Sequence, residues 1–149
     1  MYHFIIRQKI SRVFAALNHA DASLVIDAFA PKFEHYFSGQ HAFSGRRTDI
    51  NKTQQWYERL YRVFPNIQFQ IKQIRVSGWP WDTLVAVEWT DSYTLRDGLP
   101  HDNGGVHLIR LQWGRCTSVR IYCDTARIND NLAIQAAAGC DEALFAPIE

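Results

Sequence analysis

The stretch from Asp82 to Arg127 constrains the fold most, because three strand-like runs follow one another there through short, turn-rich joints. In the first, TLVAVEWTDSYTL, side chains two apart share a face. Val85, Val87, Trp89, Asp91 and Tyr93 therefore lie together, opposite Leu84, Ala86, Glu88, Thr90 and Ser92. The first face is large and apolar apart from one carboxylate, Asp91, set between two aromatic residues. The joint RDGLPHDNGG is dense in the Gly, Asp, Asn and Pro of a hairpin connection. The second run, VHLIRLQW, sets His107, Ile109, Leu111 and Trp113 against Val106, Leu108, Arg110 and Gln112, and GRCTS leads into VRIYCDTARI. The three runs predict a bent antiparallel sheet with a few polar groups on apolar ground.

Upstream, the periodicity is helical. Ile6, Ile10, Val13, Phe14 and Leu17 recur at three and four, predicting a first helix over 3–19. Asp21 is placed to cap a second over 22–30, which Pro31 stops. KFEHYFSGQHAFSG alternates aromatic and polar residues, as a short strand or irregular rim would. A third helix opens at Thr48 or Asp49 and runs to Phe64, before Pro65. IQFQIKQIRV alternates as a strand, and WPWD turns it into the organising sheet. Beyond Arg127 the pattern fades to a short helix over 132–138, with 133–149 a C-terminal tail or an arm over a neighbour. The order reads as one α+β domain spanning 1–149, three N-terminal helices packed on one face of a bent sheet.

Bulk properties narrow the function. A net charge of +1 offers no attraction for nucleic acid or an anionic membrane. The pair Arg46-Arg47 is isolated and reads as a solvated loop. No run approaches the ~20 apolar residues of a membrane span, and MYHFIIRQKISRVF holds no long apolar leader core. Cys116, Cys123 and Cys140 are odd in number and match no zinc spacing, so free thiols in the cytoplasm are expected. The six histidines form no metal-binding motif, and no phosphate loop or nucleophile elbow is present. No metal and no cofactor are expected. Aromatic content of 13%, with five Trp, favours a large apolar surface or a pocket.

This order, with the opening helical pair closed by AFAP, FSGRRTDINKTQQWYERLYRVFPNIQFQI as a helix ending in F-P before a strand, and RIYCDTARI as a last strand, resembles the nuclear transport factor 2-like superfamily. It is closest to the SnoaL-like polyketide cyclase branch, over about Ile5 to Leu132. The resemblance implies a cone-shaped, cystatin-like fold, a curved sheet wrapped around a pocket with helices at its side, and a homodimer. Enzymes of the superfamily place a carboxylate or His in an apolar cavity, where desolvation lifts a carboxylate toward working pH. Asp91 matches the Asp of the epoxide hydrolase strand, but Trp89 stands where that family has Arg and Ile121 where it has a second acid. No acid lies between Tyr36 and Ser38, where ketosteroid isomerases carry their base.

Asp91 and His35 are the candidate catalytic groups, His35 because it alternates with Phe33 and Phe37. Tyr57, Trp89, Tyr93, His107 and Tyr122 are candidates to line a ligand pocket. Each also reads as structure: Asp91 as a hydrogen-bonded strand-end residue, His107 as a satisfied core histidine, the rings as packing. Asp124 is expected to cap or orient the turn after it, and Arg110 and Arg120 to pair with acids across the sheet. Two functions stay open. One is a cofactor-independent acid–base enzyme, a cyclase, isomerase or dehydratase, acting on a small apolar molecule. The other is a non-catalytic dimeric ligand-binding or interaction module.

Overall fold

The chain, described over residues 1–149 by a computed structural model, opens with α1 (Tyr2–Leu17). Its stripe of Ile6, Ile10, Phe14 and Leu17 is buried, each side chain contributing roughly 1.5–3 kcal/mol by leaving water. The helix end is tied to the sheet by Asn18, whose amide donates to the Phe69 carbonyl at 3.0 Å and accepts from the Phe69 N–H at 2.7 Å. A side-chain amide thus pairs with β3 as a neighbouring strand would.

Asp21 takes the Ser23 N–H at 2.9 Å in the turn before α2 (Ser23–Ala28), but the N-cap is Ala22 one residue later, so the capping expected of Asp21 is displaced by one position. This helix ends sooner than Pro31 alone requires, and Pro31 sits inside β1 (Phe29–Phe37). It falls where pairing with the last strand slips between Phe29 and Glu34, a bulge that tolerates a missing N–H. Next comes β2 (Gly45–Arg47), then α3 (Ile50–Val63), where the Asp49 carboxylate accepts from Lys52 N at 2.9 Å as N-cap. Its buried face carries Thr53, Trp56, Tyr57, Leu60 and Val63.

The long strands are β3 (Gln68–Trp79), β4 (Asp82–Thr94), β5 (Pro100–Gln112) and β6 (Arg115–Cys123). The six strands form one open, curved sheet in the order β2-β1-β6-β5-β4-β3. All neighbours are antiparallel except β1 and β6, which run parallel. The α+β expectation holds, with this parallel pair added. So does the face assignment in β4: Val85, Val87, Trp89, Asp91 and Tyr93 are all buried. The expected hairpin joint is shorter than its composition suggests. The chain turns over Leu95–Leu99, and β5 already begins at Pro100, so Asn103 pairs with Asp91 and Gly105 with Trp89.

The C-terminal part departs from expectation. Instead of a short helix and a loose tail, α4 (Thr125–Ala137) continues directly from β6 and packs Ile128 and Leu132 into the core. Asp124 caps it, accepting from Arg127 N at 3.0 Å. A 3-10 turn (Asp141–Leu144) follows, with Ala143 buried, and Arg62 clasps Glu142 through two bonds of 2.9 and 2.8 Å. These last residues lie on their own chain. No helix is long and apolar enough to cross a membrane.

Candidate active site

Strand register alone assembles the inner face. Across β3, β4 and β5, Phe69, Asp91 and Asn103 form one row; Ile71, Trp89, Gly105 and, on β6, Cys123 form the next. Val87, His107, Ile121 and Phe37 form a third, and Ile109, Val119, His35 and Arg47 a fourth. Gly105 is needed in its row: a Cβ there would stand 2.3 Å from the Tyr122 carbonyl and 2.8 Å from the Trp89 ring. Without that Cβ the indole lies over β5 and reaches its diagonal neighbour, donating from Nε1 to His107 Nδ1 at 2.7 Å.

This face, α1, α3 and α4 enclose a cavity of about 40 Å³. Its walls are apolar (Leu17, Phe37, Phe43, Leu60, Phe64, Ile67, Phe69, Ile121 and Ile128 among them), and its polar groups come from Asp91, Asn103, His107, Tyr57, Tyr93, Trp89 and Cys123. A second chamber of about 60 Å³ adjoins it, and Leu17, Tyr57 and His107 belong to both. Each space has room for a few waters.

Asp91 is only 8% exposed, and its Oδ1 has no hydrogen-bond partner. Burial among these walls pushes its carboxyl up to about 7, with Asp102 adding to the rise and the Asn103 backbone opposing it. The low dielectric disfavours the charged form, and nothing here compensates it with an opposite charge. Burial holds His107 neutral, down to about 3. Since an indole N–H can only donate, His107 Nδ1 must accept, and its proton sits on Nε2, which has no partner in the protein. Tyr93 is held by Asn131, whose amide donates to its hydroxyl at 2.7 Å. Burial lifts the Cys123 thiol up to about 12, so it stays protonated, and all three cysteines are free.

The sequence candidates divide cleanly. Asp91, Trp89, Tyr93, His107 and Tyr57 meet at the cavity. Tyr122 does not: it stands on the outer face, accepting from Arg120 Nε at 2.9 Å beside Tyr36, because odd and even residues of β6 face opposite ways. The expected cross-sheet pairs form there, Arg120 with Glu34 at 2.8 Å and Arg110 with Asp82 at 3.4 Å. His35 is wholly buried but lies behind the wall, bonded to Tyr57 and Arg47. Arg47 corrects the solvated-loop expectation. In β2, Arg46 points out to Glu34 at 3.0 Å, while its neighbour Arg47 points in and is 0% exposed. Asn103, Cys123 and Asn131 were not singled out; the adjacency of Asn103 to Asp91 follows only once the true start of β5 is known. No group of three or more His, Cys, Asp and Glu is placed to hold a metal ion.

An open, curved sheet flanked by helices around an apolar cavity with one buried acid defines a nuclear transport factor 2-like α+β protein. Within that class the chain belongs to the SnoaL-like domain family, which matches residues 10–119. Similar solved structures include a nuclear transport factor 2-like protein of unknown function from Burkholderia pseudomallei, at 17% identity, 83% of this chain, 94% of that one and a TM-score of 0.73. PrhC from Penicillium brasilianum is 14% identical over 91% of this chain and 93% of its own, with a TM-score of 0.73. IdmH from Streptomyces antibioticus, provisionally assigned as a polyketide cyclase, is 16% identical over 86% and 98%, with a TM-score of 0.66. At these identities the likeness speaks for the fold. No curated protein matches the sequence.

Proposed function

We propose that this SnoaL-like pocket protein is an acid–base catalyst for a small, largely apolar carbonyl compound, with Asp91 moving the proton. One observation carries the reading: a carboxyl with an unpartnered oxygen, lifted to about 7 inside an apolar cavity. A base whose pKa lies near working pH combines a substantial reactive fraction with driving force for transfer. Asp91 takes the proton from a carbon beside the carbonyl. The C–H electron pair becomes the new C=C bond, and the carbonyl π pair moves onto oxygen. In a cyclase the enolate carbon then attacks a second carbonyl of the same molecule, and the Asp91 proton passes to the new alkoxide. In an isomerase it returns to carbon at another position. Either route is redox-neutral.

The two spaces together amount to about 100 Å³ (about 40 and about 60 Å³), less than the roughly 150 Å³ that suffices for benzene in an engineered cavity. A ring-sized substrate therefore spans both spaces, beside Leu17, Tyr57 and His107 that line the two, and widens them on entry. Three free thiols fit a reducing, cytoplasmic setting.

The test is exchange of the α-protons of cyclohexanone for deuterium, followed by proton NMR. The wild type is expected to accelerate exchange, more so as pH rises through 7, and Asp91→Asn to abolish the acceleration while remaining folded. Equal exchange in both proteins removes Asp91 from the mechanism; binding without exchange leaves a ligand-binding module.

A further inference from the structure

We infer that the Tyr57 hydroxyl is the hydrogen-bond donor for the carbonyl oxygen of the bound molecule, and that Arg47 and His35 are positioning residues that hold and polarise it. The inference rests on the small-molecule reading above and adds the group that meets the oxygen.

The argument is a matter of counting donors. A guanidinium has donors only, so Arg47 Nε, at 3.1 Å from His35 Nδ1, fixes that nitrogen as an acceptor. Burial, then the Arg47 charge, hold His35 well below its ordinary range and hence neutral. Its single proton must therefore sit on Nε2, which donates to the Tyr57 oxygen at 3.3 Å. Tyr57 accepts this bond, and its own O–H proton has no acceptor in the protein. The residue is only 5% exposed and lines both the main cavity and the adjoining chamber. An unsatisfied buried donor costs roughly 1–3 kcal/mol, which a guest oxygen would recover.

Arg47 makes no salt bridge. Its remaining nitrogens donate to the carbonyls of Ser44, Gly45 and Ile148, at 3.2, 3.1 and 2.7 Å. A buried cation whose hydrogen bonds all go to neutral acceptors, with only the more distant Glu149 charge to offset it, is an expensive structural choice. Its first link into the site is through His35, and each bond in such a chain strengthens the next. The sequence Arg47 to His35 to Tyr57 thus aims a polarised O–H at the place where negative charge grows as the enolate forms.

The test compares cyclohexanone with methylenecyclohexane, which replaces the carbonyl oxygen by CH2, together with the carbonyl stretch of bound carbon-13-labelled cyclohexanone. Tyr57→Phe is expected to lower the ketone-to-alkene affinity ratio about tenfold, the equivalent of one hydrogen bond. Methylenecyclohexane binding should be unchanged, and the stretch should move to higher frequency. His35→Leu and Arg47→Met are expected to move the stretch part of the way, and His35→Gln, which can accept from Arg47 and donate to Tyr57, to restore it. An unchanged ratio and stretch in Tyr57→Phe overturns the inference while leaving the cavity reading intact. Failure of both probes to bind the wild type overturns both readings.

Discussion

Replacing Asp91 with Asn should make this protein more stable above neutrality and leave its stability below about pH 4 nearly unaltered. Asp91 titrates from 3.8 in an unfolded chain to about 7 in the folded one. Between those values the folded state keeps a proton that the unfolded state has lost, so wild-type stability falls as pH rises through the window. About three pH units of retained protonation correspond to about 4 kcal/mol, at 1.36 kcal/mol per unit. That stability is fully present below 3.8 and fully lost above about 7. Asn titrates nowhere and keeps the shape of the neutral acid. His35 and His107 titrate with the opposite sign, but they are common to both proteins and cancel in the difference to the extent that they act independently of Asp91. Urea unfolding of both proteins from pH 3.5 to pH 8.5 measures it. The gain from Asp91→Asn should grow with pH and level off above 7, at a few kcal/mol. A difference that is flat with pH would show Asp91 to be solvated or paired, and the argument from burial would fall.

Two further outcomes follow from the same site. His107→Leu leaves the Trp89 indole N–H without its acceptor and should cost about 1–3 kcal/mol at pH 7 by urea unfolding. Because unfolded His takes up a proton near 6.5 while folded His107 does so only at about 3, the wild type loses on acidification a stability that the variant never had from this residue, so the gap should close toward pH 4. Cys116 and Cys123, whose thiols burial lifts up to about 12, should resist a thiol reagent at pH 8 in the folded protein and react at once in urea; mass spectrometry of the labelled peptides reads the difference.

Period-two patterning made the inner face of β4 legible from the sequence, because one side of that strand is buried almost without exception. Asp91 was conspicuous there as the sole acid of an apolar row. Helices α1 and α3 were legible for the same reason, their stripes being made of large apolar residues. The fourth helix was not, because its buried face combines Ile128 and Leu132 with Asn131 and Gln135, amides that carry no hydrophobic signal. Their burial makes sense only with their partners in view: Gln135 joins the Val63 carbonyl at 2.7 Å to the Arg96 N–H at 2.8 Å. Arg47 misled for a related reason. A basic pair in a Gly-rich stretch looks solvated until β2 is paired with β1, which sends one Arg out and its neighbour in. Tyr122 shows the reverse failure, for its aromatic character suggested a pocket while the parity of β6 placed it outside.

The account depends on a carboxylic acid that stays protonated to near neutrality because the surroundings offer its anion so little. Carbon-13 NMR of the Asp91 carboxyl carbon, assigned by its loss in Asp91→Asn and followed from pH 3 to pH 9, tests this most directly. A midpoint close to 7 is the predicted result. A midpoint close to 4 would contradict it.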